Sequence, residues 1–321
     1  MKNPVTIVLC LLLGTAPAVW GQNANAANPP NQPQYTLQVN SRVVLTDVTV
    51  TDKHGDPVNG LTANDFQLID NGRPQSLASF EEHRHQQTPQ LMEASARQGS
   101  FSNDYIRHPP AQVDALLFDT TTIGIEDQMY LFQQMKQFVN NLPAGEPVAV
   151  FTRSGSVTVE VASFTDDHTT LLAAIGKAIP RLQQTGAWMA NDLQTLQQMA
   201  VYLDQIPGKK NVLWFTSGSN MLLGLGLNPM SVPIDPAAQR AVYDLLETER
   251  IAIYPIDARG LTVVFGEAAR VTALQHMQMR QDAAATGGAA YVNTNGLAQA
   301  AQRVPTTDGN YYTLGYTPNN L

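Results

Sequence analysis

The stretches VDALLFD (113–119), NVLWFTS (211–217) and IAIYPID (251–257) are nearly continuous apolar runs, each ending on a carboxylate or a hydroxyl. A strand that is apolar at almost every position, rather than at every second one, must be covered on both faces. Parallel sheets flanked by helices meet that requirement. AAYVNT (289–294) reads as a further strand of this kind. Helical spacing fills the intervals. Met129, Phe132, Met135, Val139 and Leu142 recur along one face, as do Leu193, Leu196, Met199 and Leu203 between Met189 and Gln205. Further helices are expected at about 166–179, 236–250 and 266–286. PVAVFTR and SVTVEVAS flank Ser154, Gly155 and Ser156 and read as a hairpin at a sheet edge. Strands alternating with helices predict a doubly wound α/β domain.

The residues before this domain divide into four pieces. MKNPVTIVLCLLLGTAPAVWGQ joins a short basic start to an apolar stretch from Val5 to Leu13 and then small residues. This is the pattern of a secretory signal cut after Gly21 or Ala26. Gly14 and Pro17 stop the run short of the roughly 20 apolar residues that a bilayer crossing needs. The expected location is secreted or periplasmic, with no transmembrane segment after cleavage. After this signal and cut region (1–26), residues 27–34 are a polar tether with almost nothing to bury. Residues 35–83 carry short strands and turn clusters (DKHGDP, NGRP) and predict a small β-sandwich-like module, too short to be secure alone. Residues 84–111 lack periodicity, end in Pro109 and Pro110, and read as a linker.

Composition removes whole classes of function. The 321 residues carry a net charge of -8, and Lys2 and Arg42 are the only Lys or Arg before Lys53, so no basic stripe faces a nucleic acid. Cys10 is the single cysteine and lies inside the signal. The cut chain therefore has no disulfide, no thiol nucleophile and no cysteine zinc site. With 43% hydrophobic residues, packing alone must hold the fold.

Residues 112–304 resemble a von Willebrand factor A (VWA) domain, and the chain beyond residue 35 looks like the VWFA-related proteins of acidobacteria. The resemblance rests on VTVTDKHGDPVNGLTANDFQLIDNGRPQSLASFEE, VDALLFDTTT, SFTDDHTTLLAAI, IPGKKNVLWFTSG and YYTLGYTPNN. It implies a Rossmann-like sheet, a protein ligand bound without catalysis, and a metal-dependent adhesion site at the carboxyl edge. There an Asp and two hydroxyls after the first strand hold Mg²⁺, helped by a Thr and an Asp from later loops. Residues 305–321 hold a last strand, expected to pair antiparallel with the N-terminal module.

The match to that metal site is partial. Asp119 and Thr121 fit its first two positions, but the third falls on Ile123, which has no oxygen. Thr122 is adjacent, Thr185 in QQTG is a candidate for the middle Thr, and WFTSGS places Ser217 where the later Asp is expected. One carboxylate with neutral hydroxyls leaves a divalent cation undercompensated. The better reading is a hydrogen-bonded loop end, with Asp119 capping backbone N–H groups and a degenerate metal site at most. The same edge supplies the loops expected to meet a partner: Thr120, Thr122, Ser217, Gly218 and Ser219.

Other motifs are weaker. His83 and His85 form HxH without a third ligand, and Asp52 with Asp56 brackets a tight turn rather than a calcium loop. Ser217 and Ser219 lack the GxSxG of a hydrolase elbow. GLGLN (224–228) and GKK (208–210) lack the remaining glycines of nucleotide loops. Asp166 and Asp167 suit a helix start, and Trp188 suits the core. An envelope scaffold without metal is the alternative to a binding protein.

Overall fold

Five strands form the central sheet in the order β7-β6-β5-β8-β9: β5 (Gln112–Asp119), β6 (Val148–Ser154), β7 (Val157–Thr165), β8 (Lys209–Thr216) and β9 (Ile251–Asp257). All neighbours are parallel except β6 and β7, which form an antiparallel hairpin at one edge. This computed structural model describes residues 43–54, 56–84, 112–143, 145–179, 192–218 and 235–318. All of them fall in the unit Arg42–Leu321.

Among the described residues, six helices cover the sheet: α1 (Ile125–Asn140), α2 (His168–Ala178), α3 (Asp192–Leu203), α4 (Pro236–Thr248), α5 (Glu267–Ala285) and α6 (Leu297–Asp308). Alternate residues of each strand feed two cores. Leu116, Phe118, Val150, Leu213, Phe215 and Tyr254 meet Leu131, Met135, Phe138, Ile175, Leu297 and Val304 on one face. On the other, Leu117, Phe151, Val212, Trp214 and Ile253 meet Leu196, Met199, Leu203 and Leu246. Each large apolar side chain so buried stabilises the fold by about 1.5–3 kcal/mol before entropy is counted. Caps set the helix starts: Asp167 accepts from the N–H groups of Thr169 (3.1 Å) and Thr170 (3.2 Å), and Asp235 accepts from that of Ala237 (2.9 Å).

Four details differ from the sequence reading. Helix α1 buries Leu131, Met135, Phe138 and Val139, while Met129 is 68% exposed and Phe132 is half-buried. The spacing 131, 135, 138, 139 is the better helical stripe, and Met129 shares its outer side with Ile125. Leu193 is half-buried, with Thr195 and Ala200 buried instead.

AAYVNT makes only a single parallel bridge, Tyr291 to Ile256. The next ladder bond on one side would need a donor from Pro255, which has no N–H, and on the other Asn293 turns away at φ 55°. Helix α6 was not anticipated, although Leu297, Ala298, Ala301 and Val304 follow a helical stripe.

The first β segments form two small sheets. β1 (Val44–Val48) and β4 (Leu77–His83) lie on either side of β10 (Tyr311–Tyr316), both antiparallel to it. β2 (Leu68–Asp70) and β3 (Arg73–Gln75) form a hairpin across Asn71 and Gly72, both at positive φ (49° and 75°), as a two-residue turn of this type requires. Tyr312 stacks on Phe80, packs against Phe66, and donates its hydroxyl to Val58 O at 2.8 Å. Asp47 on β1 accepts two hydrogen bonds from Arg250, from Nε and Nη2 at 2.8 Å each, which ties this sheet to the turn before β9. Asp52 accepts from the N–H groups of His54 and Asp56 and so shapes a turn, and His83 stacks on Tyr311. His85 and Trp188 lie outside the described residues.

Candidate functional site

Register across the sheet brings polar residues to one line at the carboxyl edge. Asp119 pairs with Arg153 on β6, and Phe118 pairs with Phe215, so Asp119 is level with Thr216 on β8. Thr216 in turn pairs with Asp257 on β9. All four side chains lie on the face that holds Trp214, where α3 and α4 pack.

Asp119 has no solvent exposure and is saturated with donors. Its Oδ2 accepts from Arg153 Nη1 at 3.0 Å and from the Thr216 hydroxyl at 3.2 Å, and its Oδ1 accepts from the Thr121 N–H at 3.1 Å. Arg153 is equally buried. Its Nη1 lies 2.6 Å from Asp192 Oδ1 at the start of α3, and its Nε donates to Gly155 O at 3.1 Å. Burial pushes the Asp119 pKa above the usual carboxylate range; Arg153 and the Thr121 N–H oppose that push, and Asp192 adds to it.

The hydroxyls of the loop after β5 serve the protein itself. Thr120 Oγ1 donates to Arg153 O, and Thr121 Oγ1 accepts from Gly155 N–H at 2.8 Å. Thr122 Oγ1 lies 2.9 Å from Thr216 Oγ1 and accepts from Ser217 N–H at 3.1 Å. Ile123 is buried in the core beside Phe118. Of the sequence candidates, Asp119, Thr120, Thr121, Thr122, Ser217 and Gly218 come together here, while Thr185 and Ser219 lie outside the described residues. Ser217 Oγ is buried and makes no hydrogen bond.

Sequence reasoning missed Arg153, Asp192 and Thr216. Arg153 ends an apolar strand beside another that ends in Asp119, a juxtaposition visible only once β5 and β6 are known to be neighbours. Thr216 has the inward face because it is two residues beyond Trp214, whereas Ser217 already turns away.

These groups do not fit a divalent cation. A metal on Asp119 would sit beside a fixed guanidinium charge; at about 4 Å a 2+ and a 1+ charge repel by roughly 8 kcal/mol even in a screened protein environment. The Thr120, Thr121 and Thr122 hydroxyls that could serve as ligands are each engaged in a hydrogen bond. Among the described residues, no group of three or more His, Cys, Asp or Glu is placed to hold a metal ion.

A second strand-end carboxylate follows the same plan. Asp257 accepts from Arg259 Nε (2.9 Å) and Nη2 (2.8 Å) and from the Arg259 N–H (3.1 Å), and it lies 2.6 Å from His276 Nε2 on α5. Arg259 Nη1 also donates to Gln275 Oε1 at 3.1 Å. Gln275 covers Gly218, where a methyl group would come within 2.4 Å of it. Beyond Arg259 the chain exposes Leu261, Val263, Val264 and Phe265, the last at 82%. The Leu261 N–H and the Tyr130 hydroxyl both bond to Asn295, which sets this segment against α1 near exposed Ile125 and Met129.

The sheet order makes this a doubly wound, Rossmann-like α/β domain. No family model matches the chain, and no curated protein matches it either. Solved structures with a similar fold include an aerotolerance-related membrane protein from Bacteroides fragilis NCTC 9343 (12% identity, 61% of this chain and 98% of that one, TM-score 0.43). Another is a von Willebrand factor type A protein from Catenulispora acidiphila (15%, 62% and 42%, TM-score 0.42). A third is the SpRpn10 VWA domain (12%, 61% and 96%, TM-score 0.37). These values bear on fold alone, and the assignment stands on the strand order. No helix among the described residues is long and apolar enough to cross a membrane.

Proposed function

We propose that the chain is an exported, non-enzymatic protein-binding protein whose A-like domain meets its partner at the carboxyl edge without a metal ion. The observation that carries this reading is the run of exposed apolar side chains Leu261, Val263, Val264 and Phe265, on a segment tied to Tyr130 of α1 through Asn295. Monomers rarely leave such a contiguous patch uncovered, and burying each of these side chains is worth about 1.5–3 kcal/mol to a complex.

The adjoining edge holds three carboxylates (Asp119, Asp192, Asp257) against two guanidiniums (Arg153, Arg259), a formal balance of -1. These charges are largely enclosed, so the contact offered to a partner is chiefly the apolar side chains of Leu261, Val263, Val264 and Phe265. Export is supported by the sequence of the first 26 residues.

A photo-crosslinker at position 265 tests the reading in the exported fraction. The expected result is one discrete adduct that survives chelator and is lost in Val263→Asp. An adduct abolished by chelator, or one indifferent to Val263→Asp, contradicts it. Sedimentation separates self-association: a dimer lost in Phe265→Ser would make a second copy the occupant and overturn the reading.

The scaffold reading is favoured by one feature, the exposed Val43 and Leu45 on β1 and just before it. Leu45→Lys abolishing assembly, with Val263→Asp harmless, would select it.

A further inference from the structure

Two carboxylates from distant elements, Asp119 on β5 and Asp192 on α3, converge on a single atom, Arg153 Nη1, at 3.0 and 2.6 Å. All three side chains have no solvent exposure. Neither carboxylate could be ionised there alone, because an unpaired buried charge is prohibitive. The guanidinium is held at two of its nitrogens: Nε bonds Gly155 O, both carboxylates meet Nη1, and Cζ lies 5.7 Å from the Trp214 ring centroid, while Nη2 is buried with no hydrogen-bond partner among the described residues. Burial works against its charge, but Asp192 and Asp119 outweigh that and raise its pKa above the ordinary arginine value.

We infer that Arg153 is the resident cation of this edge, a tethered charge standing where the A-domain resemblance implies Mg²⁺, and that the edge becomes a divalent-cation site only when the guanidinium is removed. The backbone supplies the cation once, at synthesis, so the geometry of the β5 loop is set independently of ion concentration. Without the guanidinium, Asp119, Asp192 and the Thr216 hydroxyl leave hard oxygen donors facing a vacated volume, a donor set that suits Mg²⁺ or Mn²⁺ with water completing the shell. The inference does not depend on which partner docks outside.

The full chain tests it through thermal unfolding and Mn²⁺ water-proton relaxation. Wild type is expected to show the same Tm in chelator and in millimolar Mn²⁺, and no Mn²⁺ signal that Asp119→Asn removes. Arg153→Ser is expected to lose roughly 10 °C in chelator and to recover much of it with Mn²⁺ or Mg²⁺. The triple variant Arg153→Ser, Asp119→Asn, Asp192→Asn removes both signs together and is expected to fold without metal and to ignore it. This also decides the matter where Arg153→Ser alone does not fold. Mn²⁺ binding by wild type that Asp119→Asn abolishes, a metal-indifferent Arg153→Ser with wild-type Tm, or a triple variant that fails to fold would each overturn the inference.

Discussion

Asp119 and Asp257 end two parallel strands of one sheet, and each is neutralised by an arginine, yet the two sites differ in reach. Arg153 comes from the neighbouring strand and is wholly enclosed, whereas Arg259 comes from the turn two residues after Asp257 and keeps 19% of its side chain exposed. The first pair closes the edge over Trp214. The second carries the chain outward into Leu261–Phe265. One strand end is therefore a structural plug and the other a platform. Asp282 on α5 is a buried carboxylate of another kind. It accepts hydrogen bonds from Tyr243 (2.5 Å) and Gln278 (2.8 Å), and burial pushes its pKa to about 6.

The largest effect expected from breaking this contrast belongs to the plug. Arg153→Met leaves Asp119 and Asp192 buried without their cation and should cost about 3–5 kcal/mol in denaturant unfolding. A cost below about 1 kcal/mol would show that the pair holds little.

Asp282 gives the next effect. Its folded pKa lies above its unfolded one, so the folded state binds the proton more tightly. The contribution of Asp282 to stability is then full below about pH 4 and is lost, by about 3 kcal/mol, as pH rises through about 6. In Asp282→Asn that decline should vanish from urea midpoints measured across the range.

Arg259→Ala should cost only about 1–2 kcal/mol, because Arg259 is itself partly exposed and His276 Nε2 stays 2.6 Å from the buried Asp257 carboxylate. A loss equal to that of Arg153→Met would erase the distinction between plug and platform. The smallest effect is Thr216→Val, which removes one hydroxyl donor from Asp119 and should cost about 1 kcal/mol.

The sheet was legible because VDALLFD, NVLWFTS and IAIYPID are apolar at consecutive positions, which only burial on both faces explains. The hairpin β6–β7 was legible from its turn residues, and IAIYPID matches β9 residue for residue. Two misreadings share a cause: the sequence shows a local period but not which neighbour receives it. Met129 fits a helical spacing yet faces solvent, because the deeper stripe begins at Leu131. Tyr291 fits a strand, but Pro255 opposite it lacks the N–H that would extend the ladder.

At the site, Asp119 was found because a carboxylate closing a buried strand is anomalous in itself. Arg153 was not, because an arginine at a hairpin is ordinary until β5 is laid beside β6. The charge that meets Asp119 was hidden in the pairing of strands, not in any local motif.

A double-mutant cycle between Arg153→Met and Asp119→Asn tests the central claim most directly, read as equilibrium unfolding free energies of the full chain in chelator. If the guanidinium is the counterion that lets Asp119 be buried, the two losses should fall short of additivity by more than about 1.5 kcal/mol. Losses that add within about 0.5 kcal/mol would mean that Asp119 does not depend on Arg153, and the built-in cation would be contradicted.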